Sequence, residues 1–223
     1  LDEIRAVADR VTVIRRGKSI QTVSIEGATN KDLAEMMVGR SVSFVTEKEE
    51  AQPKEVVLQI SDLVVNENRG VPAVKELSLD VRAGEIVGIA GIDGNGQSEL
   101  IQAITGLRKV KSGSIKIKGQ EVVGLSPRKI TEMNVSHVPE DRHRDGLVIE
   151  MMLSENIALQ TYYKEPLSKN GALNYNQINS YARKLMEEFD VRAANEIVPA
   201  SALSGGNQQK AIIAREVDRN PDL

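Results

Sequence analysis

Eight consecutive residues have the spacing of a phosphate-binding loop. They read Gly91-Ile92-Asp93-Gly94-Asn95-Gly96-Gln97-Ser98, after the apolar run 85–90 and before a helix-like segment, 99–107. Glycines let backbone N–H groups curl around an anion, and the following helix directs free N–H groups and its positive dipole end at that anion. Ser98 keeps the hydroxyl that such loops offer to Mg²⁺. We therefore predict a nucleotide-binding site that contains Gly91, Asp93, Gly94, Asn95, Gly96, Gln97, Ser98 and Glu99.

One position of this loop departs from the pattern G-x-x-x-x-G-K-[ST]. Gln97 stands where the pattern has lysine. A charge-assisted contact to phosphate oxygens is thereby replaced by a neutral amide contact, which is roughly half as strong. We expect nucleotide binding to persist and hydrolysis at this loop to be inefficient. The alternative is an ordinary glycine turn between a strand and a helix.

A second motif lies near the end of the sequence. It reads Leu203-Ser204-Gly205-Gly206-Asn207-Gln208, and an apolar helix face follows it. A serine N-cap and two glycines at the start of a helix form a second place where free N–H groups point at an anion. Taken alone, the motif is equally well explained as a glycine-rich helix cap.

Hydrophobic periodicity indicates the elements that position these motifs. Apolar spacing of three and four predicts helices, and alternation or short β-branched runs predict strands. A helix, a hairpin and a second helix occupy 1–39, and a charged stretch around Pro53 predicts a linker. The later strands are predicted at 56–65, 73–81, 85–90, 112–119 and 135–138, and the later helices at 99–107, 127–133, 152–160 and 176–190. The pattern indicates an α/β fold with a helical insertion.

Composition excludes several kinds of protein. The chain has no cysteine, which excludes disulfides and thiolate metal sites, and His137 and His143 are its two histidines. Aromatic residues make up 3% of the chain and the net charge is −3. The chain therefore has neither the rings nor the positive charge that a nucleic-acid partner would require, and we expect no such partner. No apolar run approaches the ~18 residues that span a bilayer. Because the sequence opens on Leu1 rather than Met, we expect a piece of a longer polypeptide.

Together, the two motifs resemble those of ATP-binding cassette (ABC) transport ATPases. Residues 203–208 resemble the signature motif of that family, and the order of phosphate loop, Pro139-Glu140, helical insertion and signature matches over most of 56–223. The loop 91–100, the segment 139–147 and the signature together look like the second cassette of tandem-cassette importers for simple sugars and nucleosides. The second phosphate loop of that group commonly lacks its lysine, and the form with glutamine, here Gln97, most resembles the loop of the nucleoside importers.

This resemblance implies a domain organisation. Residues 1–42 look like the tail of a first cassette, 43–54 like a linker, and 55–223 like a second cassette that stops before its Walker B acidic residues. The fold would be a P-loop NTPase-type ABC cassette with an antiparallel β subdomain and a helical insertion. The cofactors would be ATP and Mg²⁺, with Ser98 and Glu140 at the metal.

The resemblance also implies partners and a division of labour. Two cassettes of this family pair head to tail, so Leu203, Ser204, Gly205, Gly206, Asn207 and Gln208 would contact a nucleotide held by the other cassette of the same chain. Integral membrane permease subunits and an extracellular solute-binding protein would complete the importer at the cytoplasmic face of the membrane. Glu140 replaces the usual glutamine, and residues 64–68, near the position of the family's adenine-stacking aromatic residue, contain no ring. His143 is expected to be a surface group, and His137 a satisfied core or surface residue.

Three functions remain open at this stage. The first is an importer ATPase subunit for a nucleoside or simple sugar, whose catalytic residues are not identified by the sequence. The second is a soluble nucleotide-binding regulator of the same family that has no membrane partner. The third is a structural remnant that binds no nucleotide.

Overall fold

The computed structural model describes residues 1–41 and 48–223, and the chain divides into two units, Leu1–Glu50 and Ala51–Leu223. The boundary falls inside the predicted linker 43–54, of which residues 43–47 lie outside the described residues. The assignment of 1–42 to a first cassette stays a prediction.

The first unit is a β-hairpin with two helices. Helix α1 (Asp2–Val7) leads into strands β1 (Arg10–Arg15) and β2 (Lys18–Ser24), and helix α2 (Asn30–Val38) follows. The Thr29 side chain accepts a hydrogen bond from the Asp32 N–H and the Asp32 carboxylate accepts one from the Thr29 N–H, so a capping box starts α2. Gly39 ends α2 in the left-handed conformation. The predicted helices and hairpin are confirmed.

The second unit begins with an antiparallel sheet. Strand β3 (Val56–Asn66) pairs with β4 (Pro72–Arg82) on one side and with β5 (Val110–Ile117) on the other, and β6 (Gln120–Glu121) extends β5. Helices α3 (Gln97–Ile104) and α4 (Pro127–Glu132) pack into the same core, which includes Leu63, Ile115 and Ile130. Strands β3, β4 and β5 confirm three predicted strands, and α3 and α4 confirm two predicted helices.

A helical region follows the sheet. Helices α5 (Leu153–Ala158), α6 (Tyr175–Glu188) and α7 (Gly205–Val217) share a core that contains Leu153, Leu185 and Ala211, and the short hairpin of β7 (Ser168–Lys169) and β8 (Ala172–Leu173) lies between α5 and α6. The predicted helical insertion is confirmed, since α5 and α6 lie within the predicted ranges to within about one residue.

Two predicted strands are wrong for this structure. Residues 85–90 and 135–138 adopt no strand, although both are apolar and β-branched. A parallel strand needs ladder partners to satisfy its backbone groups, and 85–90 pairs with no described strand. Ile86 is consequently 86% exposed. In the second segment, 135–138, the Ser136 N–H donates to the Leu223 carbonyl at 2.8 Å, and this single contact does not make a strand ladder.

Candidate functional site

The phosphate loop lies against strand β4 of the sheet. Gly96 precedes α3 with φ +100°, and a Cβ there would lie 2.6 Å from the Ala73 carbonyl oxygen on β4. Backbone crowding therefore requires glycine at this position. The Asn95 N–H donates to the Ile92 carbonyl at 3.3 Å and closes the turn. The loop is therefore shaped by its own turn and by the sheet.

The Gln97 side chain folds back over this loop. Its Nε2 donates to the Ile92 carbonyl oxygen at 3.2 Å and lies where a Cβ on Gly91 would be placed. The carboxamide thus occupies the hollow beside Gly91. Asp93 and Gly94 are exposed on the turn, and Glu99 is half-buried in the first turn of α3.

A cleft of about 540 Å³ runs from the start of α3 to the segment 137–145. Across it, the Ser98 hydroxyl donates to the Glu140 carboxylate at 3.4 Å. A hydroxyl and a carboxylate are the oxygen ligands that Mg²⁺ takes beside phosphate groups. The two predicted metal residues are therefore brought together, and their donor set fits the ion.

The signature turn, Leu203–Gln208, begins helix α7. Leu203 is buried in the core of the helical region, and Ser204 is the N-cap residue. The predicted N-cap position of Ser204 is confirmed, although its hydroxyl makes no hydrogen bond to the backbone N–H groups of α7. The hydroxyl accepts instead from Asn207 Nδ2 at 3.0 Å, while Asn207 Oδ1 accepts from the Arg192 N–H at 2.9 Å. Asn207 therefore ties the turn to the loop after α6.

The two glycines of this turn have different surroundings. A Cβ on Gly205 would meet the Arg142 guanidinium at 3.0 Å, whereas a Cβ on Gly206 would meet nothing within 4 Å. Gly206 is exposed. A side chain at 205 would therefore have to displace the end of the Arg142 side chain, while Gly206 is open to a ligand or a partner.

Gln208 connects the signature turn to a π-helical turn, Arg142–Gly146. Gln208 is 5% exposed, and its Oε1 accepts from Arg142 Nε at 3.1 Å and contacts His143 Nε2 at 3.0 Å. Its Nε2 donates to the Ala200 carbonyl at 3.0 Å. Sequence reasoning treated His143 as a surface group and missed this contact, because no local pattern links residues 65 positions apart.

The π-helical turn has its own cap. The Asp141 carboxylate accepts from the backbone N–H groups of His143 and Arg144, at 2.9 and 3.2 Å. These hydrogen bonds to the ionised form hold the pKa of Asp141 below its ordinary value. Asp141 therefore stays charged at neutral pH and fixes the turn.

A buried polar network lies beside the cleft. Glu216 is 1% exposed, and its two carboxylate oxygens accept from Arg215, Arg219 and Gln160 at 2.7–3.1 Å. Burial lowers the pKa of His137, which outweighs the opposing effect of Glu216. The backbone N–H of His137 donates to the Glu216 carboxylate at 3.4 Å, and the prediction that its imidazole is a satisfied group stays a prediction.

The phosphate loop and the signature turn do not meet directly. Within residues 1–41 and 48–223, no hydrogen bond joins them, and the signature turn does not line the cleft. The segment 140–143 contacts both, through Glu140 on one side and through Arg142 and His143 on the other.

The described residues contain neither a cluster typical of a metal site nor a helix that could span a membrane. Outside 42–47, no cluster of three or more histidine or acidic side chains has the arrangement of a metal site. In the same part of the chain, every helix is too short or too polar to cross a membrane.

Comparison with known proteins identifies clear relatives. A family model described as ABC transporter matches residues 74–223. The nucleoside import ATP-binding protein NupA of Lactococcus lactis is 73% identical over 223 residues, and the guanosine import ATP-binding protein NupO of Bacillus subtilis is 56% identical over 217. A ribose import ATP-binding protein, RbsA of Clostridium tetani, is 35% identical over 226 residues. The match covers 97–100% of this chain and 42–44% of these relatives, so the chain spans less than half their length.

Solved structures support the fold. The dimeric ATP-binding cassette MJ0796, bound to ADP and Pi, superposes with a TM-score of 0.60 at 23% identity, over 74% of this chain and 70% of that one. A nucleotide-free cassette from an ABC transporter gives the same TM-score at 22% identity, over 75% and 66%. The predicted cassette fold is confirmed.

Proposed function

This chain belongs to the ABC transporter family, and on that premise we propose that it is part of the ATP-hydrolysing subunit of a nucleoside importer. The observation that carries the proposal is the 73% identity to a nucleoside import ATP-binding protein, maintained over the whole chain. The relatives named for ribose import are 32–35% identical. The transported solute is therefore proposed to be a nucleoside rather than a sugar.

The subunit would work through two unequal nucleotide sites. Gln97 offers no charge to phosphate oxygens, and its carboxamide fills the hollow beside Gly91. The phosphate loop of this chain would therefore form the weaker site. The signature turn keeps Ser204, Gly205 and Gly206, and it would complete the stronger site on another cassette of the same polypeptide.

The residues of the cleft fit ATP and Mg²⁺. Loop N–H groups at the start of α3 would hold the phosphates, and Ser98 and Glu140 would hold the ion, which neutralises phosphate charge when it is bound. Closure of two cassettes around ATP would then move the permease subunits. The other proposed partners are an extracellular solute-binding protein and the permease subunits. Association with the permease subunits would place the chain at the cytoplasmic face of the membrane.

The test is uptake by the complete importer. The full-length polypeptide and its permease subunits are reconstituted in proteoliposomes, and ATP-dependent uptake of labelled guanosine and labelled ribose is compared. We expect guanosine uptake, with unlabelled nucleosides competing and ribose not competing. Uptake of ribose without uptake of guanosine would overturn the proposal that the solute is a nucleoside. Failure of the polypeptide to co-purify with any integral membrane protein would instead support a soluble nucleotide-binding regulator.

A further inference from the structure

We propose that Arg142 and His143 are positioning residues for the signature turn, acting together through the carboxamide oxygen of Gln208. This inference rests on the proposed function, because it assigns the π-helical turn Arg142–Gly146 a part in ATP turnover. Neither residue contacts the phosphate loop through a hydrogen bond in the described part of the chain.

The orientation of the Gln208 carboxamide is fixed by its partners. Nε2 donates to the Ala200 carbonyl at 3.0 Å, so Oε1 must face the other way. There it meets Arg142 Nε at 3.1 Å and His143 Nε2 at 3.0 Å. Gln208 Oε1 can only accept hydrogen bonds. Both nitrogens that contact it must therefore donate: Arg142 Nε, which always carries a hydrogen, and His143 Nε2. One buried oxygen thus has two donors.

This oxygen lies one helical turn from the residues that would contact nucleotide. The Gln208 N–H donates to the Ser204 carbonyl at 2.9 Å, which closes the first turn of α7. The Arg142 guanidinium also packs against Gly205. The direction in which Ser204–Gly206 point is therefore set from outside the helix, by side chains of the π-helical turn.

Two donors on one acceptor make a specific energetic prediction. Removal of either donor leaves Gln208 Oε1 with the other, so the turn keeps its position. Removal of both takes away the two protein donors. Because Arg142 and His143 are exposed, water then reaches Oε1 in their place, and the carboxamide is no longer held in one direction. The effect of the double substitution should therefore exceed the product of the two single effects.

The experiment uses the full-length polypeptide assembled with its permease subunits. ATP turnover (kcat) and the equilibrium affinity for ATP (Kd) are measured for Arg142→Ala, His143→Ala and the double variant. We expect kcat to fall about 2-fold in each single variant and about 20-fold in the double variant. We expect Kd to change by less than about 2-fold, because the phosphate loops are untouched.

A conservative variant separates positioning from general loss of structure. In the Arg142→Ala background, His143→Gln keeps a donor that can reach Gln208, and it should restore kcat to the level of Arg142→Ala alone. Arg128→Ala removes an exposed arginine on α4 that pairs with Glu132, and serves as the matched control with unchanged kcat. If the double alanine variant lowers the melting temperature, the decision rests on the glutamine variant.

Each result decides the proposal. It is supported by a synergistic loss of kcat with unchanged Kd and by recovery with glutamine. The proposal is overturned if the loss of kcat in the double variant equals the product of the two single losses. It is also overturned if Kd changes in parallel with kcat, or if the glutamine variant does not recover kcat. A wild-type assembly that hydrolyses no ATP refutes the proposed function and this role with it. An active wild type with an unaffected double variant refutes the positioning role alone.

Discussion

Substituting Gln97 by alanine should tighten the binding of Mg·ATP to the phosphate loop. In the structure, the Gln97 carboxamide donates to the Ile92 carbonyl at 3.2 Å and occupies the hollow beside Gly91. A phosphate group that enters this hollow must displace the carboxamide and break that hydrogen bond. Alanine removes both obstacles without adding a charge.

The magnitude follows from the contact that is lost. A protein hydrogen bond of this kind contributes about 0.5–1.5 kcal/mol net. Since 1.4 kcal/mol is a factor of ten in affinity, we expect Gln97→Ala to lower the Kd for Mg·ATP by about 2- to 12-fold. Gln97→Lys removes the same carboxamide and adds a charge-assisted contact to phosphate oxygens, so its Kd should be lower still.

The assay is calorimetric titration of Mg·ATP into each variant, after circular dichroism has verified folding. Gln120→Ala, an exposed glutamine on β6, is the matched control and should leave Kd unchanged. A tenfold weaker Kd for Gln97→Ala would refute the reasoning, because the glutamine would then be a phosphate ligand rather than an obstacle. Absence of binding in all folded variants would show that the loop is a scaffold.

Three further predictions concern the signature turn and the buried network. Gly206→Val should abolish ATP turnover of the complete importer without changing the melting temperature of the chain. Gly205→Val should lower both the ATP turnover and the melting temperature. If the two variants have the same melting temperature, the crowding at Gly205 is contradicted. Glu216→Gln should lower the free energy of unfolding in urea by about 3 kcal/mol, because buried arginines lose their counter-charge; a loss under about 1 kcal/mol would contradict this. Because burial lowers the pKa of His137 below 6.5, its contribution to stability is complete above pH 6.5 and declines as the pH falls toward the lowered pKa. Urea unfolding between pH 5 and 8 should show this decline, and His137→Gln should reduce it; an unchanged slope would refute it.

Local signals account for the elements that the sequence predicted well. Thr29 caps the start of α2 and Gly39 ends it, and both signals are local, because capping and left-handed glycine are properties of a few neighbouring residues. Ser126 caps α4 in the same way. The turn before α3 and the start of that helix were equally predictable, since they lie within one short stretch, whereas phosphate binding by this loop stays a prediction.

Long-range contacts account for what the sequence missed. Residues 85–90 have a strand-like composition, but a strand is defined by its partner, and composition does not provide one. The Gln208 contacts with Arg142 and His143 join positions 65 and 66 apart, and Glu216 draws its partners from three separate segments. Such networks depend on the packed fold and leave no periodic pattern.

The proximity of Arg142 to Gly205 has a consequence for sequence variation among related chains. A side chain at 205 pushes on a guanidinium whose Nε is already engaged by Gln208. Positions 142 and 205 should therefore vary together: a relative that carries alanine or serine at 205 should carry a smaller residue at 142. Gly206 has no such neighbour in this chain, and its variation should instead follow the surface of whatever binds there.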